Sequence, residues 1–133
     1  MRMALEVASW SKHPHTKVGC VAINAEQHQV EGGFNGLPRG CDDSRILDQS
    51  NPVSGTVHAE ANAIASAARR VLLGTTLYVS EPPCAQCAAL LIQAGVKKVV
   101  FKQNPSLTPK WIESVREGAA LLIEAGVEIE SVE

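Results

Sequence analysis

Apolar residues along the chain fall into two kinds of run, which predict two kinds of element. Short runs rich in valine and isoleucine are typical of strands, and longer runs rich in alanine and leucine are typical of helices. The predicted strands are Lys17–Asn24, Gln29–Phe34, Thr75–Ser80, Lys97–Lys102 and Val127–Val132. The predicted helices are Met1–Lys12, His58–Arg70, Cys84–Ala94 and Lys110–Ala125, the last with Trp111 and Leu122 near one apolar face.

The order of these elements predicts an α/β fold. The first two strands are joined by the short connection Ala25–His28, which favours an antiparallel hairpin. From Val57 onward strands alternate with helices, which favours right-handed crossovers and parallel pairing. We therefore expect a five-stranded mixed sheet with helices on both faces. A chain of 133 residues suits a single domain, residues 1–133.

A long segment without strong periodicity, Asn35–Val57, separates the hairpin from the next predicted helix. It contains Asn-Gly, Pro-Arg-Gly and Asp-Asp clusters, and a short helical piece is predicted around Ser44–Gln49. Loops of this length inside a compact domain are usually functional or disordered. Because the segment runs directly into His58, we expect it to form a wall of the active site.

Composition and charge narrow the possible functions. The formal net charge of −2 does not indicate a positively charged surface, which argues against a nucleic-acid partner. No apolar run approaches the roughly 20 residues that cross a bilayer, and the N-terminus does not resemble a signal peptide, so no membrane association is expected. Two of the four cysteines form a Cys-x-x-Cys pair. Reduced thiols of this kind suit a cytoplasmic enzyme.

The candidate chemistry lies in two stretches, His58-Ala59-Glu60 and Pro82-Pro83-Cys84-Ala85-Gln86-Cys87, and each opens a predicted helix. Cys84 and Cys87 stand three apart, so both thiolates project from one helix face, in the first turn where the helix dipole favours negative charge. One imidazole and two thiolates give zinc three protein ligands and leave its fourth position for water. Glu60 is not a ligand and is free to carry protons. This arrangement is the signature of zinc-dependent deaminases.

Each stretch taken alone has a plainer interpretation. A lone Cys-x-x-Cys can be a redox pair or half of a structural zinc site, and a lone histidine at a helix start is more often simply hydrogen-bonded. A zinc-stabilised scaffold without activity is a further alternative, although a structural site would be expected to carry a fourth protein ligand. The two stretches together, with Glu60 in place, favour a catalytic site.

Other segments carry a family resemblance. Gly33-Phe34-Asn35-Gly36-Leu37-Pro38-Arg39-Gly40, preceded by Ser11-Lys12-His13-Pro14 and Lys17-Val18-Gly19, resembles stretches of deoxycytidylate deaminases. The chain thus resembles the cytidine and deoxycytidylate deaminase superfamily over almost its whole length. The resemblance implies a cytidine deaminase-like three-layer fold and zinc-dependent deamination of dCMP to dUMP, with release of ammonia. Because His58 is the first ligand, cytosine, guanine or adenosine in tRNA remain alternative substrates.

The resemblance also implies roles for individual residues. The backbone N–H of Ala59 would hold the base carbonyl, and Asn35 would bind the sugar. Glu60 would take a proton from the attacking water and deliver protons to N3 and the departing amino group. A 5′-phosphate needs cationic or backbone donors, and Lys17 is the first candidate, with Lys12 and Arg39 behind it.

Departures from the family pattern bear on metal content and regulation. His13 stands where the family usually has aspartate, so a local contact there is expected to differ. The loop after Gly40 lacks the extra Cys/His ligands of a second, structural zinc, which predicts one catalytic zinc per chain.

The same loop resembles that of regulated family members. Asp42 and Asp43 resemble an acidic pair in members that nucleoside triphosphates regulate, although a solvated turn explains the pair equally well. Together with Gly36 and Arg39 they form a candidate allosteric site for dCTP as activator and dTTP as inhibitor. Since the family contains hexamers and tetramers, we expect a homo-oligomer, with a hexamer favoured.

Overall fold

The structure is a computed structural model, and it describes residues 1–48, 55–67 and 72–133. Its strands are β1 (Gly19–Asn24), β2 (Gln29–Phe34), β3 (Thr76–Val79), β4 (Lys98–Lys102) and β5 (Glu128–Val132). Its helices within these residues are α1 (Arg2–Ser9), α2 (Ala59–Ser66), α3 (Ala85–Gln93) and α4 (Pro109–Glu124). A short 3₁₀ segment, Asp43–Leu47, lies in the long loop before α2.

The five strands form one mixed sheet in the order β2-β1-β3-β4-β5. β1 is antiparallel to both β2 and β3, whereas β3 pairs with β4 and β4 with β5 in parallel. The register aligns Gly19 with Phe34 and Val79 with Phe101. The start of β1 and the ends of β2, β3 and β4 therefore lie side by side. The word edge is used here for this side of the sheet, at which the parallel strands β3 and β4 end. The predicted mixed sheet with an N-terminal hairpin is confirmed.

Helices cover both faces of the sheet, as predicted. The alternating side chains of β1 divide between two apolar clusters, since Val21 packs with Ala4 and Val7 of α1. Cys20 and Ala22 point to the other face, where the larger cluster contains residues of α2, α3 and α4. β1 is therefore buried on both faces, between the cluster of α1 and the larger cluster.

Gly33 in β2 allows α2 to lie unusually close to the sheet. A Cβ atom at this position would stand 2.2 Å from the backbone oxygen of Ala59 and 2.6 Å from the backbone nitrogen of Ala63. Only glycine permits such a close approach of one backbone to another. This contact fixes the first turn of α2, and with it His58 and Glu60, directly against β2.

Several element boundaries differ from the predicted ones. The first helix ends at Ser9 rather than Lys12, and β1 begins at Gly19 rather than Lys17. The strand starts late because the backbone groups of Thr16 and Val18 bond to the side chain of Asn35. The helix predicted as 58–70 ends at Ser66, and 68–70 lie outside the described residues, as does Gln49 of the predicted Ser44–Gln49 piece.

None of the described helices is both long and apolar enough to cross a membrane.

Candidate active site

The two sequence stretches predicted to carry the chemistry begin neighbouring helices. His58 is the N-cap of α2 and Cys84 is the N-cap of α3, and both have extended backbone conformations. Val57 is held in place by a bridge to Gly36, with N···O distances of 2.7 and 3.1 Å. Both helix starts therefore lie at the sheet edge where parallel strands end, which is the usual ligand-binding edge of α/β sheets.

Three potential metal ligands converge at this edge. The Nδ1 atom of His58 lies 3.6 Å from the Sγ of Cys84 and 3.3 Å from the Sγ of Cys87, and the three donor atoms all lie within 4.8 Å of one another. Usual zinc–nitrogen and zinc–sulfur bond lengths in a tetrahedron place such donors roughly 3.5 Å apart. The donor set and its spacing therefore fit a zinc ion.

The electrostatics of the three ligands favour negative charge on sulfur. A hydrogen bond from the Cys87 thiol lowers the pKa of Cys84 to about 4, and the same interaction raises the pKa of Cys87. The hydrogen bond with Cys84 raises the pKa of His58 against the opposing effect of burial. The lowered pKa of Cys84 favours its thiolate, which is the protonation state that a metal ligand needs.

Glu60 lies in the first turn of α2 and is almost fully buried, with 4% of its surface exposed. Burial raises the pKa of its carboxyl group, and the nearby His58 opposes this effect. The carboxyl also interacts with the thiol of Cys87. Glu60 is therefore next to the potential ligands without being one of the clustered donors.

A cavity of about 390 Å³ opens over these residues. Its floor, called the metal floor here, consists of His58, Ala59, Glu60 and Cys84. The β1 wall consists of His13, Thr16, Val18 and Asn35. The α4 wall consists of Asn104, Ser106, Leu107, Thr108, Trp111 and Val115, and Thr56, Glu81 and Pro82 complete the lining.

Asn35 organises the β1 wall. Its Oδ1 accepts the Val18 backbone N–H at 2.8 Å, and its Nδ2 donates to the Thr16 carbonyl oxygen at 2.8 Å. Its own carbonyl oxygen accepts the Ser11 hydroxyl at 2.8 Å. Since an asparagine amide has two N–H donors, these bonds leave one of them for a ligand in the cavity.

Sequence reasoning missed the α4 wall. The Trp111 ring centroid lies 6.0 Å from that of His58, at an interplanar angle of 49°. Asn104 donates through Nδ2 to the Glu81 Oε2 at 2.7 Å. The only signal for this wall was the turn formed by Asn104-Pro105 and Thr108-Pro109 after a strand whose end faces the ligand edge.

The remaining residues singled out from the sequence lie outside the cavity lining. Lys17 and Arg39 are exposed. Asp43 forms an ion pair with Lys12, and the Oδ1 of Asp42 accepts the Ser44 N–H at 3.0 Å as the cap of the 3₁₀ segment. The acidic pair therefore has structural partners of its own.

Comparison with known proteins identifies the family. Residues 1–103 match the model of the cytidine and deoxycytidylate deaminase zinc-binding region. The chain belongs to the cytidine and deoxycytidylate deaminase family. The matched region contains the metal floor and the β1 wall, together with Glu81, Pro82 and Cys87.

Individual members of this family show how far the similarity extends. An uncharacterised deaminase of Aliivibrio fischeri is 40% identical over 96% of this chain and 87% of its own length. The human deoxycytidylate deaminase is 36% identical over 92% of this chain and 70% of its own length. The dCMP deaminase of cyanophage S-TIM5, solved with dCMP and dUMP, has a TM-score of 0.75 at 26% identity, covering 98% of this chain and 92% of its own.

Proposed function

We propose that residues 1–133 form a single zinc-dependent deaminase domain that hydrolyses dCMP to dUMP and ammonia. The observation that carries this proposal is the convergence of three zinc-compatible donors and a buried carboxyl group on the floor of one cavity. The deoxycytidylate deaminases among the relatives support dCMP as the substrate. The thiols of all four cysteines are free, which supports a cytoplasmic location.

The Nδ1 atom of His58 and the sulfurs of Cys84 and Cys87 would hold one zinc ion per chain. When bound, zinc acts as a Lewis acid that makes water an effective nucleophile near neutral pH. The chain supplies the rest of the chemistry. Both cysteines are buried, and of the two only Cys84 lines the cavity.

Glu60 moves the protons of the reaction. Its carboxylate takes a proton from the water that attacks C4 of the cytosine ring and passes it to N3, and it then carries the proton of the new C4 hydroxyl to the exocyclic amino group. The C4–N bond then breaks, ammonia leaves, and a carbonyl oxygen remains at C4. One carboxyl group can act first as base and then as acid because it lies close to both the attacking and the leaving group.

Backbone and amide groups would orient the substrate. Ala59 is the first residue of α2, so its N–H has no partner within the helix and is available for the base carbonyl. The unused N–H of Asn35 would bind a sugar hydroxyl. Trp111 would cover the base from the α4 wall. Lys17 would reach the phosphate only from the rim, because it does not line the cavity.

Regulation and assembly are part of the same proposal. A homo-oligomer, with a hexamer favoured, would bind dCTP as activator and dTTP as inhibitor at the loop containing Gly36, Arg39, Asp42 and Asp43. The ion pair of Asp43 with Lys12 supports this idea, because Lys12 leads directly into the β1 wall. Sigmoidal dCMP kinetics that dCTP makes hyperbolic are expected, and hyperbolic kinetics insensitive to both nucleotides would contradict the regulation.

Deamination of another base, in cytosine, guanine or tRNA, is the second candidate. No lysine or arginine lines the cavity within the described part of the chain, whereas the carboxylate of Glu81 does. Ammonia release should therefore be measured over dCMP, deoxycytidine, cytosine, guanine and tRNA. We expect the highest kcat/KM for dCMP. A higher value for any other member of this panel would overturn the substrate assignment and leave the deaminase chemistry intact.

A further inference from the structure

His13 in the β1 wall has one ring nitrogen committed to the backbone. Its Nδ1 accepts the Thr16 backbone N–H at 2.9 Å and lies 3.2 Å from the backbone nitrogen of His15, which also donates to it. These bonds close the turn that leads into β1. The ring is partly buried and lines the cavity.

The hydrogen bonds to Nδ1 decide where the ring carries its proton. A neutral imidazole whose Nδ1 is an acceptor has its hydrogen on Nε2. Burial, and to a smaller extent the neighbouring His15, lower the pKa of His13, which favours the neutral ring near pH 7. With Nδ1 engaged in the turn, the polar atom that His13 can offer to a ligand is the Nε2–H donor.

The position of His13 in the cavity indicates which part of a substrate this donor would meet. Ala59 and Glu60 at the metal floor are buried, whereas the turn that carries His13 is exposed from Pro14 to Lys17. A nucleotide that places its base against the floor directs its phosphate toward the solvent-exposed turn that carries His13. An anionic group prefers this position because it keeps part of its hydration there.

We propose that His13 is a substrate-binding residue that donates its Nε2–H to a phosphate oxygen of the nucleotide. This inference rests on the proposed function, and it gives the cavity a neutral phosphate donor in place of the lysines and arginines that do not line it within the described residues. The Thr16 hydroxyl, on the same wall, is a second neutral donor. Phosphate recognition by neutral donors depends on direct contact rather than on long-range attraction.

Two substitutions test the contact by kinetics. In His13→Asn and His13→Asp a side-chain oxygen can still accept the turn amides, as in an Asx turn, but the Nε2–H donor is lost. We expect KM for dCMP to rise about tenfold in both variants, the effect of losing one hydrogen bond to a charged group. The value of kcat/KM for deoxycytidine should change less than about twofold, and kcat for dCMP should be nearly unchanged.

The matched control is His28→Asp, which makes the same charge change in the exposed β1–β2 turn. His28 has a φ of 52°, a conformation that aspartate tolerates. This variant should leave both substrates unaffected. If wild type fails to deaminate dCMP, the proposed function is wrong. If wild type prefers dCMP and both His13 variants keep that preference, only the role of His13 is wrong.

A binding measurement on the unmodified protein keeps the proposal testable if the variants do not fold. Nitrogen NMR of the zinc-loaded protein should show His13 protonated at Nε2 and not at Nδ1. Adding dUMP should shift the Nε2 resonance, and deoxyuridine, which differs only by the phosphate, should not. A His13 ring protonated at Nδ1, or identical shifts with both ligands, would overturn the proposal.

Discussion

The metal floor and the β1 wall face the same cavity but are built in different ways. The floor gathers ionisable groups that are buried, among them Glu60 and Cys84, at the starts of two helices. The β1 wall presents neutral groups, and its shape depends on hydrogen bonds between Asn35 and residues that precede β1. In the proposed function this difference separates chemistry from selection: the floor would supply proton transfer and metal binding, and the wall would decide which molecule reaches them.

Substitutions should follow this division. Changes to Glu60 or to the three metal ligands beside it should abolish or strongly lower turnover of every substrate, because the proposed chemistry always uses the same metal and the same proton carrier. Changes in the wall should leave the metal in place and alter KM or substrate preference. A wall substitution that abolished all turnover while the protein stayed folded would contradict this separation.

Removing a metal ligand should have the largest effect. Cys87→Ala is expected to lose the zinc and all measurable activity, and to lower the melting temperature because metal binding and folding are coupled. The matched control is Cys41→Ala, which removes an exposed thiol and should change nothing. Elemental analysis should give one zinc per chain for wild type and the control. Two tightly bound zinc ions per chain would contradict the single site.

Removing the proton carrier should have the next largest effect. Glu60→Gln is expected to lower kcat by about 10²–10⁴-fold, the range for loss of general acid–base catalysis, while zinc content and melting temperature stay close to wild type. Glu26→Gln, in the exposed β1–β2 connection, is the charge-matched control. Near-normal turnover by Glu60→Gln would refute the role assigned to Glu60.

Loosening the β1 wall should have an intermediate effect. Asn35→Ala removes the side-chain bonds to Thr16 and Val18 and should lower the free energy of unfolding by about 1–3 kcal/mol. It should also raise KM for dCMP and leave zinc bound. The control is Asn62→Ala, which removes one hydrogen bond from a side-chain amide to the Phe34 carbonyl oxygen. Chemical denaturation and steady-state kinetics measure both effects, and an unchanged KM would mean that the wall does not contact substrate.

The sequence was most informative about the floor, for a physical reason. His58 and Glu60 lie at the start of one helix, and Cys84 and Cys87 share the start of another, so local spacing places the two members of each pair relative to one another. The order of strands and helices was equally readable, because hairpin and crossover connections follow from loop length and alternation.

The α4 wall could not be read from local spacing. Trp111 looked like a residue of an apolar helix face, yet it is 42% exposed and lies beside His58, which is far away along the chain. Likewise the late start of β1 depends on the Asn35 side chain taking backbone groups that a strand would otherwise use. Such contacts between distant segments leave no periodic pattern in the sequence.

Replacing Lys17 should have the smallest effect on KM for dCMP. It tests whether the β1 wall selects substrates without a charged side chain. Lys17 is exposed and does not line the cavity, so its charge can act on a phosphate only across solvent. At physiological salt such attraction is screened beyond about 8 Å. Lys17→Ala is therefore expected to raise KM for dCMP less than about threefold, with a larger effect at low salt.

The control for this variant is Lys97→Ala, which removes another exposed charge, near the start of β4 at the opposite edge of the sheet. KM for dCMP and for deoxycytidine should be compared at low and at physiological ionic strength. A rise of about tenfold or more for dCMP in Lys17→Ala alone, insensitive to salt, is the effect of a lost direct phosphate contact. That result would place the lysine on the phosphate, and the β1 wall would then select nucleotides by charge as well as by neutral hydrogen bonds.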